Sequence, residues 1–73
     1  MSDMASTCRY EIRVDGVLDS QWETWFEGLH IANDGRHTTM SGPLADQAAL
    51  HGVLIKIRDL GIPLLSVHRL DPD

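Results

Sequence analysis

Four histidines (His30, His37, His51 and His68) and a single cysteine, Cys8, are the side chains here with the chemistry to hold a metal or move a proton. Imidazole suits zinc, nickel and copper, and a thiolate beside an imidazole makes a nucleophile with its base. Neither chemistry finds its spacing. The chain contains no His-Glu-x-x-His, Gly-x-Ser-x-Gly, phosphate-loop or Gly-x-Gly-x-x-Gly pattern. One cysteine leaves neither an internal disulfide nor a zinc-finger arrangement, and Cys8 reads as a small apolar residue near the start of a strand. We therefore expect no catalytic residue, no metal and no cofactor.

The elements that would position these side chains follow from periodicity. Tyr10, Ile12 and Val14 alternate with Arg9, Glu11 and Arg13, the period of a half-buried strand over Arg9 to Val14. Asp15-Gly16 turns the chain. Ser20-Gln21-Trp22-Glu23 matches a capping box and predicts a short first helix over Ser20 to Glu27, ended by Gly28. Leu29 to Asn33, Asp34-Gly35 and Arg36 to Ser41 read as a hairpin with a two-residue loop. That loop would set Ile31 against Thr38 and His30 against Thr39, with Leu29, Ile31, Thr38 and Met40 on the core side. A second helix, Asp46 to Leu60, has Asp46 as N-cap, Gly61 as terminator and an apolar stripe of Ala49, Leu50, Val53, Leu54, Ile57 and Leu60. Ile62 to Leu70 forms a last strand with Leu65 and Val67 inward.

Strand, helix, strand, strand, helix, strand is the order of an α+β, ferredoxin-like βαββαβ domain. Right-handed crossovers give a four-stranded antiparallel sheet of order 4-1-3-2 with both helices on one face. The other face then carries Arg9, Glu11, Arg13, His30, Ala32, His37, Thr39, Ser66 and His68, and it is the candidate interaction surface. A metal site needs three ligands within about 2 Å of one ion, and His30, His37 and His68 are spread too widely for that. Trp22 and Phe26 share a core-facing helical face, which makes Trp25 the candidate exposed aromatic.

At 73 residues the chain has room for one domain, because a chain this short buries only about 60% of its unfolded surface. We expect residues 1–7 to be a disordered tail, 8–70 the domain and 71–73 a C-terminal tail. A net charge of −5 argues against general attraction to phosphate backbones or anionic lipid. The aromatics sit off the open face, which removes the stacking platform of RNA-binding domains of this topology. No apolar run approaches the ~20 residues that span a bilayer, and residues 1–7 lack the basic head and apolar centre of a signal peptide, so a cytoplasmic address is expected.

Two stretches carry a resemblance. Gly42-Pro43, Asp46-Gln47-Ala48-Ala49-Leu50-His51-Gly52 and Arg58-Asp59-Leu60-Gly61-Ile62-Pro63-Leu64-Leu65-Ser66-Val67 form one, and Trp22-x-x-Trp25-Phe26-x-Gly28-Leu29 the other. Across residues 9–70 the chain resembles a family of short uncharacterised bacterial proteins, which implies a small α+β domain and assigns no reaction. Two functions from different classes fit. The first is a non-catalytic homo-oligomeric interaction or regulatory module, a homodimer or a partner of another protein, meeting its partner through the open face or a sheet edge. The second is a small-ligand sensor similar to the ACT domains. There Asp15-Gly16-Val17-Leu18 and the end of the first helix would frame an amino acid at a dimer interface.

Overall fold

Alternation in the first strand holds: Tyr10, Ile12 and Val14 are buried in β1 (Cys8–Asp15), with Arg9 and Arg13 exposed between them. The computed structural model describes residues 8–70, so the expected tails at 1–7 and 71–73 lie outside the described residues. After β1 come a 3-10 turn (Ser20–Trp22), β2 (His30–Asn33), β3 (His37–Leu44), α1 (Gln47–Asp59) and β4 (Leu64–Arg69). All neighbouring strands are antiparallel, in the order β2-β3-β1-β4, which is 4-1-3-2 read from the other edge.

The fold is not the two-helix ferredoxin-like one. Where a first helix was expected there is one 3-10 turn followed by further turns, and α1 is the sole α-helix among the described residues. Asp19, not Ser20, is the N-cap, its side chain accepting from Gln21 N–H. Glu23 leaves the capping box and accepts instead from Ile31 N–H in β2, at 3.2 Å. The segment makes one α-type bond, Phe26 N–H to Trp22 C=O, then closes with Gly28 N–H on Glu23 C=O while Glu27 and Gly28 both take positive φ. Eight residues rich in tryptophan, phenylalanine and threonine cannot offset the cost of helix nucleation, and the carboxylate that would have capped the helix is used across space.

α1 follows its sequence signals. The Asp46 carboxylate accepts from Ala49 N–H at 2.9 Å. At the other end Gly61, at φ +75, donates to Arg58 C=O, and Ile62 N–H reaches Ile57 C=O, the paired bonds of a Schellman terminus. Leu50, Val53 and Ile57 are buried, whereas Leu60, expected in the stripe, is exposed at the helix end. Lys56 fixes the lie of the helix: its Nζ donates to Trp25 C=O at 2.7 Å, pairs with Glu27 at 3.1 Å and stands 5.1 Å above the Trp25 ring.

The hairpin register differs from expectation by two residues. Ile31 faces Met40 and His30 faces Ser41, because the loop is longer than Asp34-Gly35. Asp34 accepts from Arg36 and His37 N–H, and Asn33 Oδ1 accepts from Gly35 N–H, so local side-chain turns claim the residues that a two-residue loop would have paired. A slip of two keeps every face, and Leu29, Ile31, Thr38 and Met40 remain buried. β3 also runs past Ser41 through Gly42-Pro43 to Leu44. Pro43 is tolerated because β2 ends at His30, opposite Ser41, leaving no strand to receive its missing N–H. Gly42 lies opposite Tyr10, and a Cβ there would come within 3.2 Å of Leu29 Cδ2.

Candidate interaction surfaces

The ladders lay the polar face out in rows. His30, Ser41, Glu11 and His68 form one row across the four strands, and Ala32, Thr39, Arg13 and Ser66 form the next. Arg9 lies beside the first row, opposite Pro43, and His37 beyond the second, opposite Asp15. His30 and His68 therefore sit at opposite edges, three interstrand steps or roughly 14 Å apart. Among the described residues no three of the His, Cys, Asp and Glu side chains are grouped to hold one metal ion. His30 comes within 3.8 Å of Glu23 and His37 within 3.8 Å of Asp15, contacts at solvent-exposed positions where pairing contributes little. Asp34, at the hairpin tip, has its carboxyl held below the usual range, because the His37 and Arg36 amides both donate to its charged form.

The connection after β1 is tied down. Thr38 is fully buried in β3, and its hydroxyl accepts from Leu18 N–H at 2.8 Å while donating to Gly16 C=O at 2.7 Å. Asn33 Nδ2 donates to Leu18 C=O, Gly16 N–H to Arg36 C=O and Asp15 N–H to Pro63 C=O. In this turn the N–H and C=O of both Gly16 and Leu18 thus bond to the protein itself.

The opposite side of the sheet is covered unevenly. Tyr10, Ile12 and Val14 of β1 and Met40 and Leu44 of β3 are buried, and Leu18, Phe26 and Leu29 close the layer towards β2. β4 differs: Leu64 is 47%, Leu65 49% and Val67 37% exposed. This corrects the expectation that Leu65 and Val67 point into the core. Val67 does share the inner face with its neighbour Ile12, but a bulge between Arg13 and Val14 leaves Leu65 without an opposite residue, and among the described residues both side chains stay partly open. The helix explains the gap. Lys56 turns one flank of α1 towards the 23–28 turn at the β2 side. At 100° per residue, His51, Leu54 and Arg58 then lie on the other flank, while Ile55, two residues from both Val53 and Ile57, points away from the sheet. Together with Ile55 they line an open groove on the helix surface, and Ile55 is exposed.

A family model described as a domain of unknown function (DUF8691) matches residues 9–68, from within β1 to within β4. The chain belongs to that family. No curated protein and no solved structure matches it. In this DUF8691 domain the nine positions assigned to the polar face share it, and Trp25 is exposed under Lys56. The half-exposure of Leu64, Leu65 and Val67 was not expected. What the sequence does show is their position: Leu64-Leu65 abut an alternating strand that, as the last in a 4-1-3-2 order, has to lie at an edge. No described helix is long and apolar enough to cross a membrane.

Proposed function

We propose that this DUF8691 domain is a non-catalytic interaction module that works as a homo-oligomer, and that its binding side is the β4 edge. The observation that carries the reading is the half-exposure of Leu64, Leu65 and Val67 along one edge strand, on a chain with little apolar area to spare. The polar face is the weaker candidate. Its central residues are Ser41, Thr39, Glu11 and Arg13, short or charged groups that water solvates well. The sensor reading loses its ligand frame, since the Gly16 and Leu18 backbone groups bond to Thr38, Asn33 and Arg36 and the first helix is absent.

Sedimentation equilibrium tests this across tens to hundreds of micromolar. The protein is expected to self-associate, Leu65→Asp to weaken association at least tenfold, and Thr39→Asp on the polar face to leave it within twofold. A chain that stays monomeric, or one whose association responds to Thr39→Asp instead, contradicts the reading. A melting point raised by a free amino acid would restore the sensor.

A further inference from the structure

We infer that two copies join β4 to β4 about a two-fold axis at Val67, so that the four-stranded sheet continues into one of eight strands. The inference rests on the reading that the domain self-associates at its β4 side, and it names the occupant and the register.

The occupant has to be a strand. Leu70 N–H bonds to Arg9 C=O and Asp15 N–H to Pro63 C=O, which fixes the alternation along the β1–β4 ladder. Glu11 with His68 and Arg13 with Ser66 are the hydrogen-bonded pairs, and Ile12 with Val67 is the pair between them. The N–H and C=O of Val67 consequently point away from β1, over the outer edge of the sheet, where no described strand lies. That edge runs from Leu64 to Arg69 and contains no proline; its bulge at Leu65 and the charge of Arg69 flank the regular stretch Ser66 to His68, which is left to pair.

A second β4 fits this edge in one register better than in its neighbours. With the axis at Val67, two valines form a hydrogen-bonded pair and exchange both bonds, Ser66 faces His68 of the second copy, and both inner faces stay on the same side. Centring on Ser66 would require Val67 to pair with Leu65, the residue displaced by the bulge. Centring on His68 would set two imidazoles directly opposite each other. Because the contact uses the same edge on both copies, it closes at two and leaves the β2 edges outermost. The stretch from Leu64 to Leu70 makes about a third of the 20–30 residues per side of a standard interface, so a Kd of micromolar or weaker is expected.

Disulfide trapping in a Cys8→Ser background, read beside sedimentation equilibrium of the same chains, tests the register. Opposed Val67 Cα atoms in a hydrogen-bonded pair lie about 5.5 Å apart, within disulfide reach, whereas two Ser66 residues are offset beyond ~7 Å. Under mild oxidation Val67→Cys should become mostly covalent dimer, and Ser66→Cys and Thr39→Cys less than a tenth. Val67→Lys, which opposes two ammonium groups at the axis, should raise Kd at least tenfold. A dimer that fails to trap through Val67→Cys, traps better through Ser66→Cys or Thr39→Cys, or tolerates Val67→Lys overturns the two-fold register and leaves self-association standing. A monomer throughout overturns both.

Discussion

The two edges of this sheet differ in how their apolar side is closed. At the β2 edge, Leu18, Phe26 and Leu29 are buried and Trp22 packs on the core with its ring 6.2 Å from that of Phe26. At the β4 edge, Leu64, Leu65 and Val67 belong to the same sheet layer and the described residues leave them half-exposed. Part of the difference is the lie of α1, which Lys56 ties to the 23–28 turn. What closes the β2 side is a segment too short to be a helix, pinned by Glu23 to β2 and by Lys56 to α1. A layer can thus be completed by a turn held at several points, and among the described residues the β4 side has no such turn.

The comparison breaks most sharply at Phe26. Phe26→Ala removes a fully buried ring and should cost about 3–5 kcal/mol in urea unfolding, whereas Leu65→Ala, measured where the chain is dilute, should stay within about 0.5 kcal/mol. Comparable costs would mean that the β4 strip packs as a core. Thr38→Val preserves shape but leaves Leu18 N–H and Gly16 C=O buried without their partner, so a loss of about 1–3 kcal/mol is expected by the same measurement. A neutral result would show water entering the turn. Gly61→Ala imposes a side chain at φ +75 on the link into β4 and should cost about 1 kcal/mol; stability equal to the parent would show that the link relaxes freely.

The smallest effect is at the hairpin tip. Amide bonds from His37 and Arg36 lower the Asp34 pKa in the folded chain. Such a carboxyl contributes stability fully above its unfolded value near 3.9, and the contribution fades as pH falls through the lower folded value. In an NMR titration the Arg36 and His37 amides should shift with Asp34 below pH 4, and Asp34→Ala should abolish that titration. A midpoint at or above the ordinary carboxyl value would refute the assignment.

What was legible in the sequence had its cause nearby in the chain. Asp46 and Gly61 mark the ends of α1 because capping is a matter of a few adjacent residues. The strand faces were legible because alternation survives even the two-residue slip of the hairpin. Failures came where one residue had two possible uses. Glu23 could cap a helix or hold β2, and Asp34 could sit in a two-residue turn or collect two amides; only the assembled chain decides. The bare β4 side was illegible for a related reason. Apolar residues in a strand announce burial, but whether a cover exists depends on how Lys56 turns the helix, 31 residues away from the Trp25 carbonyl that it grasps.

The alternation along β1 has a consequence for the time it takes the sheet to open. Tyr10, Ile12 and Val14 direct their backbone groups to β3, whereas Glu11, Arg13 and Asp15 direct theirs to β4. No β4 side chain belongs to the core cluster, so β4 can lift away while the remaining three strands stay packed. A single strand would then show two populations of amides in solvent deuterium: Glu11, Arg13 and Asp15 exchanging with each lifting of β4, and Ile12 and Val14 only when the whole domain unfolds.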